Sequence, residues 1–315
     1  MSHLIPGEYD VTLNGVRIHY SVRGSGPTLI AHSGGPGMDA RGWDDFARID
    51  DFVTIVRTIA EARRVRTQYG DARVGLVPTM GALHAGHLSL LHAARRQCDY
   101  VVMSLFVNPL QFGDPADLAA YPRDDDRDAR LAEEAGVDLV FAPGVQEMYG
   151  PAHATWIDVE GNARGLEGEF RPGHFRGVAT VCLKLFLIVR PQIAFFGQKD
   201  AQQVAVVKQL VRDLNVDLKI DVLPTVREAD GLALSSRNVR LSAEERQRAL
   251  AIPHALQAGL AAFRAGRDPV AAAKAELGTL ATEYVSVAEF EPGQRTLAIA
   301  ARVGKTRLID NVVLE

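Results

Sequence analysis

Residues 74–87 read VGLVPTMGALHAGH, and this stretch determines the fold that we predict. Its first four residues form a short apolar run, which is typical of a strand buried in a sheet. Pro78 and Gly81 interrupt that run, and a helix is expected to open near Gly86. A buried strand that passes through a glycine-containing loop into a helix is the repeating unit of α/β folds.

The beginning of such a helix is a natural binding site for an anion. Its first backbone N–H groups have no partner within the helix and carry the positive end of the helix dipole. Gly86 leaves room for a phosphate, and His84 and His87 would share one face of the first turn. Both imidazoles could donate hydrogen bonds to phosphoryl oxygens. The pair could also be purely structural, and zinc is disfavoured because a third ligand, for instance His174, would have to come from elsewhere.

The rest of the chain alternates predicted strands and helices. Predicted strands occupy residues 53–56, 74–77, 100–107, 139–142 and 193–196, and predicted helices occupy residues 58–69 and 177–189. After Ser242 a helical pattern continues through Glu283, and residues 284–290 and 297–301 then alternate like antiparallel strands. We therefore predict an α/β fold with a Rossmann-like parallel sheet, followed by a smaller C-terminal α+β domain that begins near Val226.

Three further polar clusters accompany the histidine motif. The first contains Lys199, Asp200 and Gln203, and the second contains Ser235, Ser236 and Arg237. The third contains Asn108 and Gln111 beside the apolar Phe112. Lysine and arginine suit phosphate oxygens, an aspartate suits a ribose hydroxyl, and amides suit a polar substrate. Because the carboxyl ends of parallel strands meet at one edge of the sheet, we expect these clusters to form a single site.

Composition excludes several classes of function. The 315 residues carry a formal net charge of −4, which is no electrostatic footprint for nucleic acid or an anionic membrane. The longest apolar stretch, residues 177–189, is too short to span a bilayer. The two cysteines, Cys98 and Cys182, do not suggest a disulfide framework, and the N-terminus does not resemble a secretory signal. A cytoplasmic location is expected.

Two glycine motifs are interpreted as accidental matches. Residues 35–40 fit G-x-G-x-x-A, but Ile55 stands about where a dinucleotide-binding fold needs an acid. Gly304, Lys305 and Thr306 resemble the end of a P-loop, yet Ile299 occupies the position of its first glycine.

Together the motifs resemble the pantoate–β-alanine ligase family of the nucleotidyltransferase superfamily, which is marked by an H-x-G-H signature. The resemblance covers residues from about 53 to 314 and includes Tyr121-Pro122-Arg123, the segment 167–175 and the run 306–311. It implies an ATP site formed by Met80, Gly81, Ala82, Leu83, His84, Ala85, Gly86, His87, Gly197, Gln198, Lys199, Asp200, Val226, Leu234, Ser235, Ser236 and Arg237. Ala85 and Leu234 depart from the family's usual Glu and Met.

The resemblance also implies the remaining roles. His87 would be the proton donor, and His84, Lys199 and Arg237 would be the other catalytic residues. Gln111 and Gln203 would hold pantoate with Asn108 nearby, and Mg²⁺ would accompany ATP, with Asp128 as one possible ligand.

The implied reaction has two steps. The pantoate carboxylate attacks the α-phosphate of ATP and releases pyrophosphate, and β-alanine then attacks the acyl-adenylate and releases AMP. The carboxylate is already ionised, so the first step needs positioning and charge neutralisation rather than a strong base. The expected partners are ATP, pantoate, β-alanine and a second copy of the chain in a homodimer.

The first fifty residues show a different pattern. A hairpin is predicted around Asn14-Gly15, followed by a strand at 28–31 and a glycine-rich loop at 32–37. These features of residues 1–51 resemble the opening of the α/β-hydrolases of the proline-iminopeptidase type. No G-x-S-x-G nucleophile motif follows, so we expect an incomplete extension. The predicted domains are thus 1–51, a Rossmann-like domain at 52–225 and a lid domain at 226–315.

Three alternatives remain open at this point: another H-x-G-H nucleotidyltransferase, a hydrolase, and a non-catalytic nucleotide-binding module.

Overall fold

The computed structural model describes residues 7–13, 16–22, 53–113 and 115–315. The chain divides into two units, Met1–Asp51 and Phe52–Glu315, and each is described by itself.

The first unit contains a β-hairpin. Strand β1 (Gly7–Leu13) pairs antiparallel with β2 (Val16–Val22), and Leu13 lies opposite Val16. The hairpin predicted around Asn14-Gly15 is therefore confirmed. The strand predicted at 28–31 and the glycine-rich loop at 32–37 lie outside the described residues.

A parallel sheet forms the centre of the second unit. Its strands are β3 (Thr54–Val56), β4 (Val74–Thr79), β5 (Tyr100–Leu105), β6 (Leu139–Phe141), β7 (Ile193–Gly197) and β8 (Lys219–Leu223). Their order is β3-β6-β5-β4-β7-β8, and every neighbouring pair is parallel. Val74, Leu76 and Val77 of the central strand β4 are fully buried, which explains the continuous apolar run in the sequence. The predicted parallel sheet is confirmed.

Helices cover both faces of this sheet. They are α1 (Ile59–Gln68), α2 (Ala85–Gln97), α3 (Pro115–Ala119), α4 (Asp125–Glu134), α5 (Val145–Met148), α6 (Glu167–Phe170), α7 (His174–Val189) and α8 (Ala201–Asp213). One hydrophobic core joins the sheet to α1, α7 and α8, and a second joins it to α2 and α4. The first helix begins where its sequence predicts, because Thr58 and Glu61 form a reciprocal capping box.

The C-terminal part of the unit has its own core and an antiparallel sheet. Helices α9 (Ala243–Ala249), α10 (Ala251–Arg264) and α11 (Pro269–Leu277) pack against β9 (Ala281–Glu291), β10 (Gln294–Val303) and β11 (Thr306–Val313). The sheet order is β11-β10-β9, with antiparallel pairing throughout.

One predicted boundary in this region is wrong. The helical pattern was expected to continue through Glu283, but α11 ends at Leu277 and β9 begins at Ala281. Gly278 has φ +55°, a conformation that glycine adopts readily and that ends the helix. Gly304, at φ +57°, lies in the turn between β10 and β11, which agrees with our rejection of a P-loop there.

Candidate active site

The sheet order creates a crevice at the point where the winding of the chain reverses. Strands β4, β5 and β6 follow one another toward one edge, whereas β7 and β8 proceed toward the other, and β4 and β7 are neighbours. In open parallel sheets, ligands bind beyond the carboxyl ends of strands at this kind of reversal. The H-x-G-H segment directly follows β4, and the segment with Lys199 directly follows β7.

A cleft lies beyond the carboxyl ends of the strands at this reversal, and its empty space, including the part open to solvent, is about 1450 Å³. The residues predicted from the sequence that line it are Met80, His84, Gly86, His87, Gln111, Gly197, Lys199, Asp200, Gln203, Val226, Leu234, Ser235, Ser236 and Arg237. These residues come from four separate stretches of chain. The structure therefore brings the predicted clusters to one place.

The two histidines cap α2 through reciprocal hydrogen bonds. The imidazole Nδ1 of His84 accepts from the backbone N–H of Gly86 at 3.1 Å. The imidazole Nδ1 of His87 accepts from the backbone N–H of His84 at 3.4 Å, and the two ring centroids are 4.1 Å apart. Because each Nδ1 is an acceptor, we assign the proton of each neutral ring to Nε2.

Burial keeps both rings neutral. Desolvation, with a smaller effect of His84 and Lys199, lowers the pKa of His87 to about 3. Desolvation and then the charge of Lys199 also lower the pKa of His84. At neutral pH the pair therefore presents two N–H donors without a net charge, and an incoming anion would favour their protonation.

A C-terminal side chain holds the segment that carries Lys199. The amide Nδ2 of Asn311 donates to the backbone carbonyls of Gln198 and Lys199 at 3.0 and 2.8 Å. The ammonium of Lys199 lies 3.6 Å from the carboxylate of Asp200, too far for a strong hydrogen bond. Asp200 is the one carboxylate among the described residues that line the cleft.

The serine and arginine cluster has partners of its own. Ser235 Oγ accepts from the backbone N–H of Arg237 at 3.2 Å, and Ser236 Oγ lies 3.5 Å from the hydroxyl of Tyr121. The guanidinium of Arg237 donates to Asp117 at 2.9 Å. A cation that was predicted to hold phosphate is thus paired with a carboxylate of the protein.

One wall of the cleft is apolar. Val178, Val181, Cys182 and Leu185 of α7 line it at the i, i+3, i+4, i+7 spacing of a single helix face. The sequence of this helix predicts a core position and does not distinguish the face that lines the cleft, because a core and an apolar cleft wall require the same pattern of residues.

Several predicted residues lie outside the lining of the cleft. These are Gly81, Ala82, Leu83, Ala85, Gln198 and Asn108. Asn108 is fully buried, and its amide donates to the carbonyl of Gly177 and accepts from the hydroxyl of Tyr149 at 3.1 and 3.0 Å. Asn108 thus helps to hold the wall through these hydrogen bonds, and its contact with pantoate stays a prediction.

A largely buried ionic network beside the cleft was not predicted from the sequence. The carboxylate of Glu167 accepts from Arg307 at 2.8 Å and from the hydroxyl of Tyr284 at 2.7 Å. Burial alone would raise the pKa of Glu167, but the hydrogen bonds from Arg307 outweigh it and lower the value to about 2. Arg171, 3.5 Å from Glu167, donates to the backbone carbonyl of Gln111 at 2.9 Å.

The network therefore connects the C-terminal sheet to a residue of the cleft. Residues 167–175 include an acid, an arginine and a histidine, and these residue types could have indicated the network. Their partners on β9 and β11 are more than a hundred residues away in the sequence. His174 Nδ1 also contacts the carbonyl of Gln111, at 3.0 Å.

The described residues contain no group of three His, Cys, Asp or Glu side chains placed to hold a metal ion. Asp128, the metal ligand suggested by the resemblance, does not line the cleft, and its oxygens accept backbone N–H groups. A Mg²⁺ ion that travels with a nucleotide takes most of its ligands from phosphates and water, so it does not need such a group. In the part of the chain that is described, no helix has both the length and the apolar character needed to cross a membrane.

The chain is similar to a family of known ligases. The family described as pantoate-β-alanine ligase matches residues 54–313. Pantothenate synthetase of Moorella thermoacetica is 50% identical over 278 residues, which is 84% of this chain and 97% of that protein. Pantothenate synthetase of Heliobacterium modesticaldum is 50% identical over 270 residues, 81% of this chain and 94% of that protein.

Solved structures show the same similarity. Pantothenate synthetase of Thermus thermophilus superimposes with a TM-score of 0.78 at 46% identity, covering 82% of this chain and 99% of that one. Pantoate-β-alanine ligase of Francisella tularensis, complexed with β,γ-ATP and β-alanine, gives a TM-score of 0.73 at 34% identity, covering 83% and 97% of the two chains.

Proposed function

The chain belongs to the pantoate–β-alanine ligase family, and on that premise we propose how its own residues carry out the ATP-dependent condensation of pantoate with β-alanine. The observation that carries the proposal is the cleft at the reversal of the sheet, where His84, His87, Lys199 and Arg237 surround one space. These groups suit a triphosphate beside an organic acid. The reaction proceeds through pantoyl-adenylate and releases pyrophosphate and AMP.

The triphosphate would lie at the N-terminus of α2. The positive end of that helix's dipole would face the phosphoryl oxygens, and the Nε2–H groups of His84 and His87 and the ammonium of Lys199 would donate to them. Negative charge that develops on the α-phosphate during attack by the carboxylate would be stabilised by these fixed donors. His84 and His87 would contribute to this stabilisation without reorganising, because backbone N–H groups hold both rings before the substrate arrives.

Pantoate would lie between the glutamines and the apolar wall. Its two methyl groups fit against the stripe of α7 formed by Val178, Val181, Cys182 and Leu185. Its hydroxyls suit the amides of Gln111 and Gln203, both of which line the cleft.

Mg²⁺ would enter with ATP and neutralise part of the phosphate charge. Asp128 does not fit as its ligand, because both carboxylate oxygens already accept backbone N–H groups away from the cleft. We therefore propose that the ion is bound by phosphate oxygens and water, with no step of the reaction dependent on a protein ligand to the metal.

A homodimer is a further proposal that rests on the family resemblance, and a cytoplasmic location is one that rests on the composition, with two cysteines far apart in the sequence. Sedimentation equilibrium tests the first: a mass near twice the 34.2 kDa of one chain supports the dimer, and a mass of one chain refutes it.

The decisive experiment measures pyrophosphate release with ATP, Mg²⁺ and pantoate, with and without β-alanine. We expect pantoate-dependent exchange of pyrophosphate into ATP without β-alanine, and pantothenate and AMP only when β-alanine is present. Exchange that does not require pantoate would support another nucleotidyltransferase activity, and ATP binding with no pyrophosphate released would refute the proposal.

A further inference from the structure

A buried carboxylate lies beneath the loop that precedes the two histidines. Asp128 on α4 is 1% exposed, whereas Asp125 and Asp126 on the same helix are exposed. An ionised carboxylate is costly to bury without strong partners. Its nearest cation, Arg127, is 3.6 Å away and half exposed, so the main compensation has to come from elsewhere.

That compensation comes from the backbone of the loop. The N–H of Ala82 donates to Oδ2 of Asp128 at 2.7 Å, and the N–H of Leu83 donates to Oδ1 at 2.8 Å. Each oxygen thus accepts one short, charge-assisted hydrogen bond. The guanidinium of Arg127 also donates to the carbonyl of Leu83 at 3.1 Å. Side chains of α4 therefore make three hydrogen bonds to the loop.

The loop has a conformation that needs support. Gly81 and Ala82 have φ of +80° and +51°, and the left-handed region costs a residue with a side chain about 1–2 kcal/mol. Left-handed residues of this kind turn successive N–H groups toward one concave side, where an anion fits. A Cβ atom on Gly81 would lie 2.8 Å from Oδ2 of Asp128, which shows how closely the carboxylate fills that side.

The next residue after the loop is His84, the N-cap of α2. Its backbone N–H donates to the ring of His87, and its own ring accepts from Gly86, so both imidazoles take their orientation from this backbone. We propose that Asp128 is a positioning residue that holds the backbone of residues 81–83 so that His84 and His87 cap α2 and aim their Nε2–H groups into the cleft. It acts from behind the loop and does not bind the metal ion.

The test compares Asp128→Asn with Asp126→Asn, an exposed aspartate on the same helix. An asparagine presents one acceptor and one NH₂ group, so one of the two loop N–H groups would face another donor. In selectively ¹⁵N-labelled protein, the imidazole signals of His84 and His87 report the tautomer directly. We expect Nε2–H for both rings in the wild type and in Asp126→Asn, and a tautomer mixture with pKa values shifted toward 6.5 in Asp128→Asn.

Kinetics give a second, independent measurement, which rests on the proposed function. Pantoate-dependent pyrophosphate exchange should fall about tenfold to a hundredfold in kcat for Asp128→Asn, since small misplacements of catalytic groups have effects of this size. The Mg²⁺ concentration for half-maximal rate should not change. Exchange that is absent even in the wild type would refute the proposed function and leave the imidazole measurement to decide the role of Asp128.

Two results would overturn the inference. One is unchanged imidazole signals in Asp128→Asn, and the other is a Mg²⁺ requirement raised tenfold or more with those signals intact, which would make Asp128 a metal ligand. If Asp128→Asn does not fold, Gly81→Ala disrupts the same contact from the side of the loop and should give the same tautomer mixture. Wild-type imidazole signals in a folded Gly81→Ala protein would equally refute the role.

Discussion

The guanidinium of Arg237 donates a 2.9 Å hydrogen bond to the carboxylate of Asp117, although Arg237 also lines the cleft. Arg240 donates to the other oxygen of Asp117 at 2.8 Å. Burial raises the pKa of Asp117, but the hydrogen bonds from these two arginines outweigh it, so the net shift is downward. The charge of Arg237 is therefore shared with Asp117, and a triphosphate would have to compete for it.

Asp117→Asn should strengthen the binding of ATP, because it removes the competing charge. We expect KM for ATP to fall by a factor of about 1.4 to 5, since partly exposed ion pairs are worth about 0.2–1 kcal/mol. The control is Asp158→Asn, which breaks the surface pair with Arg176 away from the cleft. A higher KM in Asp117→Asn would mean instead that Asp117 holds Arg237 in its working position.

His87→Ala should nearly abolish adenylation. The substitution removes an Nε2–H donor that the backbone of His84 holds in place. Loss of one such donor typically lowers kcat by about 100- to 1000-fold. Pantoate-dependent pyrophosphate exchange measures the effect, and His92→Ala, an exposed histidine on the same helix, should keep wild-type exchange. Near-native exchange in His87→Ala would remove this residue from the mechanism.

Lys199→Ala tests the cation on the other side of the reversal in the sheet. Within the described part of the chain its ammonium has only a 3.6 Å contact with Asp200, so its charge is available to phosphate oxygens. We expect exchange to fall by about 100-fold or more, because a charge-assisted contact to the reacting phosphate is lost. Lys219→Ala, at a mainly exposed lysine, is the matched control. Equal rates for the two variants would contradict the assignment.

Stability should decrease as the pH falls from about 6.5 to 4.5. Burial lowers the pKa of His87 to about 3 and that of His174 to about 4, whereas both titrate near 6.5 in the unfolded chain. The unfolded state then binds more protons than the folded state, so the free energy of unfolding decreases by up to about 1.4 kcal/mol per pH unit for each ring.

Urea unfolding at pH 7, 6 and 5 measures this slope. Glu167 does not interfere, because the pKa of its carboxyl group is 4.5 in the unfolded chain and about 2 when folded, so its contribution disappears only at lower pH. His174→Gln should reduce the slope, and His92→Gln should leave it unchanged. A free energy of unfolding that is constant across this range would show that the rings are not buried as neutral groups.

Glu167→Gln should destabilise the protein. The substitution places a neutral amide beside the half-buried guanidinium of Arg307, which Glu283 still pairs at 2.7 Å, so the cost should lie below the about 3–5 kcal/mol that breaking a buried pair commonly has. Glu160→Gln breaks a surface pair with Arg164, both more than 70% exposed, and should cost less than about 1 kcal/mol. Comparable unfolding midpoints for the two variants would argue that the network contributes little to the fold.

Local sequence patterns were sufficient for most of the architecture. The apolar run at 74–77, the helix start at Thr58 and the alternating residues of β1 and β2 each specify an element through sterics and hydrogen bonds among near neighbours. The predicted helix boundary was wrong at residues 281–283. The helical pattern of α11 continues into the first residues of β9, and only Gly278 marks the break between the two elements.

The sequence predicts candidate nucleotide-binding residues, since the H-x-G-H segment and the lysine segment each follow a buried strand. How the candidate residues are held depends on the tertiary structure. It placed Asp128 behind the loop, buried Asn108 in the wall, and paired Arg237 with Asp117 at a separation of 120 residues. Hydrogen bonds and ion pairs depend on distances between atoms. Spacing along the chain fixes those distances only for residues within one or two helical turns of each other, so the longer-range partners follow from the fold.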